Sequence, residues 1–273
     1  MNHLASLPWY DLPASRQGLT LFWHSMREVL CEHGCAVLPE NLERQLPLTE
    51  QWSRPELIIS QCCGLDLFTP QAKLLKPLAR PQFAGLDCSA GDYFSWIVTP
   101  EEPQQPTGRI VINSGSSHSG ATALLQWLNK NQDFSQYQLL VSGSHQMSIQ
   151  YLQQGLADLA AIDAHSWSLM DTRGIRIIDR SVNAPAPPFV TSVNSSLAPE
   201  LILDALKHAV DKVGEQVGIG GLLVTERDTY REMEAAGRLL ESYLYQSGST
   251  FPESLSESRC SDPLPISPLS LSA

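Results

Sequence analysis

Asn113-Ser-Gly-Ser-Ser-His-Ser-Gly-Ala-Thr122 sets four serines, a histidine and two glycines directly after the apolar run Arg109-Ile-Val-Ile112. Small hydroxyls at the start of a helix are suited to holding an anion. The first N–H groups of a helix lack intrahelical partners, its dipole places partial positive charge there, and glycine lets a ligand approach the backbone. Ser116, Ser117 and Ser119 add hydroxyl donors, and His118 adds a charge-assisted one. A second turn of the same kind, Val141-Ser-Gly-Ser-His-Gln146, offers Ser144 and His145. A third apolar run, Ala160-Ala-Ile-Asp163, ends in a carboxylate able to accept from a ligand or to cap the next helix. Polar turns that follow strands of one parallel sheet lie along one edge, where α/β proteins bind their ligands.

Other chemistries are excluded by single residues. Gly115 and Gly120 have the glycine spacing of a P-loop, but Ala121 stands where the phosphate-binding lysine is required, although Thr122 fits. A nucleophile elbow fails by one position at its second glycine, leaving only the closeness of serine and histidine to suggest acyl transfer. Lys plus Arg number 18 against 29 Asp plus Glu, a net charge of −11, with no basic cluster, so nucleic acid is not an expected partner. The six cysteines show no C-x-x-C spacing, so neither a zinc site nor a disulfide scaffold is expected, and no metal or cofactor is anticipated.

No segment reaches the roughly 18 consecutive apolar residues that span a bilayer. Met1 to Pro8 lacks the basic start and long apolar run of an export signal. The expectation is therefore a cytoplasmic protein as written, or a periplasmic one where a leader has been removed.

These turns need strands and helices to hold them. Leu4 to Leu7 reads as a short strand, and Leu19, Phe22, Trp23, Met26, Val29 and Leu30 recur at helical spacing up to Gly34. Glu56–Ser60 is a compact apolar strand of the kind found in parallel sheets, and Tyr93–Val98 is another. The Pro-rich stretch Thr99–Gly108 reads as a crossing between lobes. After it strands and helices alternate: strand 109–112, helix 119–128, strand 138–141, helix 145–154, strand 159–162, strand 175–178. A second Pro-rich passage, Ala184–Ser192, reads as the return crossing. Amphipathic helices follow around residues 202–213 and 230–244. The expected division is 1–97 with 190–245 as a first, discontinuous lobe and 98–189 as an inserted second lobe. Residues 246–273, with nine Ser and four Pro, read as a disordered tail.

Ser116-Ser-His-Ser-Gly120, Ser142-Gly-Ser-His145, Gly155-Leu-Ala-Asp-Leu-Ala-Ala-Ile-Asp163 and Phe189-Val-Thr191 together resemble the phosphate- and phosphonate-type solute-binding proteins of ABC transporters. The likeness runs over about residues 4–215. It implies an α/β, two-lobed type II periplasmic binding protein fold, each lobe a parallel-type sheet flanked by helices, with two crossing hinge segments. It implies a small anionic or polar ligand in the interlobe cleft and an ABC transporter permease as partner. Ser116, Ser117 and Ser119 match the family's anion contacts, with His145 beside them and Asp163 nearby. Tyr10, Gln61 and Tyr93 match contacts from the first lobe. Two further readings stay open: a cytoplasmic enzyme on this scaffold, with a cleft histidine as general base, and a ligand-sensing module.

Overall fold

A computed structural model describes the chain over residues 3–102, 105–131 and 137–246. The first lobe opens with β1 (Leu4–Ala5), α1 (Arg16–Glu32), α2 (Leu48–Ser53), β2 (Leu57–Gln61) and β3 (Leu75–Phe83). The short strand β4 (Asp92–Tyr93) leads into the second lobe. That lobe comprises β5 (Ser95–Pro100), β6 (Arg109–Ile112), α3 (Ala123–Asn131), β7 (Gln138–Val141), α4 (His145–Gln153), β8 (Leu159–Asp163), α5 (Ala164–Trp167) and β9 (Ile175–Arg180). The chain returns through β10 (Ala184–Pro185) to β11 (Phe189–Ser192), α6 (Pro199–Val213), β12 (Ile219–Val224) and α7 (Arg231–Gln246).

Among the described residues the strands form two five-stranded sheets, ordered β1-β2-β11-β3-β12 and β7-β6-β8-β5-β9, and a two-stranded ladder of β4 with β10. Both large sheets are mixed. The expected parallel pairing holds between β1 and β2 and through β7, β6 and β8. The remaining ladders are antiparallel, because β11 runs opposite to its neighbours β2 and β3, β12 runs opposite to β3, and β5 runs opposite to its neighbours β8 and β9.

Burial explains the main elements. Every residue of β2 is buried, as its unbroken apolar run requires. On α1 the buried Leu19, Phe22, Trp23, Met26 and Leu30 fall on one stripe, which packs on the Ile202, Ala205, Leu206 and Ala209 face of α6. Burying each of the larger side chains contributes about 1.5–3 kcal/mol. In the second lobe two clusters cover the two faces of the sheet. One joins Ile110 and Ile112 to Leu124 and Leu128 of α3, and the other joins Val98 and Val111 to Ile149 and Leu152 of α4.

Three expectations change. Ser95–Pro100 pairs with β8 and β9, so residues 95–97 lie in the second sheet and the outward crossing comes before Ser95, not near Thr99. The Pro-rich stretch after Pro100 is therefore no crossing: it joins two strands of the same sheet. Gln246 is the last residue of α7 rather than the first of a tail, and residues 247–273 lie outside the described residues. The second Pro-rich passage holds β10 and β11. β12 is absent from the sequence reading, and so is β3, where Pro77 and Pro81 argue against a sheet interior. β3 nonetheless lies between β11 and β12, opposite ladders that carry register shifts near both prolines.

The connector before β6 is fastened from below by Asp158. Its carboxylate accepts from the N–H and hydroxyl of Thr107 (both 2.9 Å), from Gly108 N–H (2.8 Å) and from Arg109 N–H (3.3 Å). Asp158→Ala strands these donors together and should cost about 2–3 kcal/mol. A urea titration checks this: the midpoint falls at unchanged slope, whereas an unmoved midpoint would mean the connector is held by something else.

Candidate functional site

Strands β6, β7 and β8 are parallel neighbours, so the turns that follow them emerge along one edge of the second sheet. Opposite that edge stand the loop after β1, the segment after β2 and the crossing strand β4. Between them lies a cleft of ≈270 Å³. A larger hollow of ≈960 Å³ between α3, β9 and α7 lies away from these strand ends and gathers none of the expected residues.

Seven of the ten expected residues line the cleft: Tyr10, Tyr93, Ser117, Ser119, Ser144, His145 and Asp163. Their local geometry follows from the backbone. The helix after β6 opens with a wide π-helical turn, His118–Thr122, before α3. Ser117 caps it, its Oγ accepting from Gly120 N–H at 3.1 Å. Gly120 is required here by close approach, because a Cβ would lie 1.8 Å from Asn113 Oδ1. Ser119 Oγ lies 2.9 Å from His145 Nε2, joining the first polar turn to the second. Ser144 caps α4 by accepting from Met147 N–H at 3.1 Å. Asp163 caps α5 with one oxygen, accepting from Ser166 N–H at 2.8 Å, and with the other accepts the Tyr10 hydroxyl at 3.1 Å. The capping and ligand-facing roles that spacing alone left open for Asp163 are therefore compatible: it caps its helix and also faces the opposite lobe.

The other three expected residues lie off the cleft wall. Ser116 is exposed, two residues before the π-helical turn, and does not line the cleft. His118 is turned inward by that turn and is 6% exposed, with its ring 6.3 Å from Tyr93. Gln61, the last residue of a wholly buried strand, lines a void of ≈10 Å³ behind Tyr10. Sequence reasoning in turn missed Trp9, Asn113, Gln146 and Met170, all of which line the cleft. The signal for Trp9 was its place beside Tyr10 after the first strand, and Asn113 and Gln146 flank the two serine turns. Trp9 is held by stacking on Trp52 of α2, with centroids 6.5 Å apart.

No lysine or arginine lines the cleft among the described residues. Four of its titratable groups are shifted toward their neutral forms. Burial lowers His145 to about 4, partly opposed by the Ala161 backbone, and lowers His118 to about 4. Burial raises Asp163 to about 6, opposed by the Ser166 N–H and the Tyr10 hydroxyl. Tyr10 and Tyr93 are pushed well above the usual phenol range, chiefly by burial. The cleft thus presents hydroxyls, a neutral imidazole, helix N–H groups and two carboxyl groups, Asp163 and an Asp11 that is paired with Arg16 and Arg44. Among the described residues no group of His, Cys, Asp and Glu is arranged to hold a metal ion.

A family model described as the periplasmic substrate-binding protein of phosphonate ABC transporters matches residues 68–228. PhnD1 from Prochlorococcus marinus, solved in complex with methylphosphonate, superposes with a TM-score of 0.66 at 14% identity, covering 88% of this chain and 98% of its own. A binding component of an ABC phosphonate transporter from Pseudomonas aeruginosa gives 0.64 at 11% identity, covering 93% and 91%. MatC from Rhodopseudomonas palustris with bound malate gives 0.52 at 11%, covering 90% and 98%. At these identities the likeness is one of fold, the two-lobed type II periplasmic binding protein. A search of curated proteins finds no match.

The buried ionisable groups fix a pH response. His118, His145 and His165 all sit near 4 in the folded protein, each lowered chiefly by burial, against about 6.5 when unfolded. As pH falls from 6.5 toward 4, the unfolded chain takes up protons that the folded chain refuses, so stability is lost. Asp163 acts oppositely between about 6 and 3.8, as one group against three. Melting temperature should therefore fall between pH 7 and 4.5, and fall less in His118→Phe. Calorimetry at both pH values measures this, and equal drops in the two proteins would count against the assignment.

Proposed function

The chain belongs to the family of phosphonate ABC transporter periplasmic substrate-binding proteins, and from that premise we propose that its lobes close on a small oxyanion such as a phosphonate or phosphate. The observation that carries the reading is the junction of the two polar turns, Ser119 Oγ at 2.9 Å from His145 Nε2, on the strand edge facing Tyr10 and Tyr93. Ser117, Ser119, Ser144 and His145 would hold the anion together with the N–H groups that open α3 and α4, and Tyr10, Tyr93 and Asp163 would close over it. Binding by dipoles and hydroxyls leaves the ligand free to depart, which suits delivery to a permease.

The first lobe on this reading comprises the chain up to Tyr93 and again from Phe189, and the second runs from Ser95 to Arg180. The family is one of periplasmic proteins, and we place this chain there too; the cytoplasmic expectation finds no support in the family. An ABC transporter permease is the partner this membership implies.

The same Ser119–His145 contact is what an acyl-transfer enzyme would need. A ring lowered to about 4 is a weak general base at neutral pH, and no carboxylate bonds to it among the described residues. We therefore read the pair as a binding element.

Titration calorimetry with methylphosphonate, phosphate and sulfate tests the proposal. At least one of them should bind, and Ser119→Ala or His145→Ala should weaken that ligand about 10- to 100-fold, the worth of one hydrogen bond to a charged group. Absence of heat with all three at millimolar concentration would remove oxyanion recognition from consideration.

A further inference from the structure

Asp163 and His165 stand two residues apart at the end of β8, and both reach into the first lobe. Asp163 takes the Tyr10 hydroxyl at 3.1 Å. The ring of His165 stacks on Phe83 with centroids 4.3 Å apart and planes 18° apart, and meets the Tyr10 ring edge-on at 4.7 Å. A Cβ at Gly218 would lie 2.6 Å from His165 Cε1, so the backbone closes over the ring where only glycine fits. Tyr10 follows β1, Phe83 ends β3 and Gly218 precedes β12. Three separate segments of the first lobe thus form a socket around one ring of the second.

His165 is 4% exposed and is not part of the cleft wall, so the capture of an anion makes no direct use of it. Burial keeps the ring neutral, with the Val217 backbone as the opposing polar influence, so seating it in an apolar socket leaves no unpaired charge. Its two aromatic partners have different roles. Both belong to the first-lobe core, but only Tyr10 also faces the cleft, where Asp163 holds its hydroxyl.

We propose that His165 is an interlobe latch and a positioning residue: it plugs the second lobe into the Tyr10–Phe83–Gly218 socket and thereby sets the Tyr10 ring against the cleft, governing ligand affinity without touching the ligand. The inference rests on the two-lobed capture reading above. A contact made only when the lobes approach raises the share of the closed state, and the apparent affinity of a ligand scales with that share.

Small-angle scattering of the ligand-free protein and calorimetry with methylphosphonate test it on wild type, His165→Ala and His165→Phe. His165→Ala should enlarge the radius of gyration and weaken binding about tenfold, chiefly through faster release. His165→Phe restores the stacked ring and should match wild type in both measurements. Equal radii for wild type and His165→Ala would overturn the latch, whatever the affinities. Should His165→Ala fail to fold, Phe83→Leu empties the socket from the other lobe and is judged by the same radius. If wild type binds none of methylphosphonate, phosphate and sulfate, the capture reading is what fails, and the ligand-free radii still decide on the latch.

Discussion

Polar atoms taken out of water must find partners or shed their charge, and this constraint shapes the interlobe region. No lysine or arginine lines the cleft among the described residues, and of its two carboxylates only Asp11 is paired with cations, Arg16 and Arg44. The groups present answer each other instead: Ser119 with His145, Tyr10 with Asp163, Ser117 and Ser144 with the N–H groups of their own helices. The imidazoles are driven neutral, and the Asp163 carboxylate is drawn toward its protonated form. On the proposed reading such a site would hold an anion by oriented dipoles, with its serines already fixed by the helix caps they form.

How far this was legible in the sequence depended on whether the controlling signal was local. The π-helical turn and α4 start follow their serines closely, because capping is decided within three residues of the cap. α1, α4 and α6 were readable from periodicity to within a few residues. β3 was not, because two prolines oppose a central strand, and only the register shifts of its neighbours accommodate them. The outward crossing was misplaced for a related reason. Prolines marked Thr99–Gly108 as a break, but whether a strand pairs within its own lobe or the other is a matter of long-range register that no local signal carries.

Side-chain direction was the other limit in the site. His118 and His145 look alike in sequence, each at a helix start among serines. The π-helical turn rotates the first inward beneath Tyr93, while the second stays at the cleft edge beside Ser119. Gln61 was expected to face the ligand from a strand end, and the pairing of that residue with Phe189 points it into the core instead. Trp9 gained its place through Trp52, a partner more than forty residues away.

The β4–β10 ladder ties the two crossings to each other, Tyr93 to Ala184 and Asp92 to Pro185, and the Arg80–Asp92 ion pair at 2.7 Å pins one of them to β3. Two ribbons laced side by side resist torsion but yield to bending across their common line. Movement of the lobes would on this geometry follow the swing of a door on two joined pins. A partner that grips the outer rims of both lobes would then sense a single angle, and would tell a loaded molecule from an empty one by that angle alone.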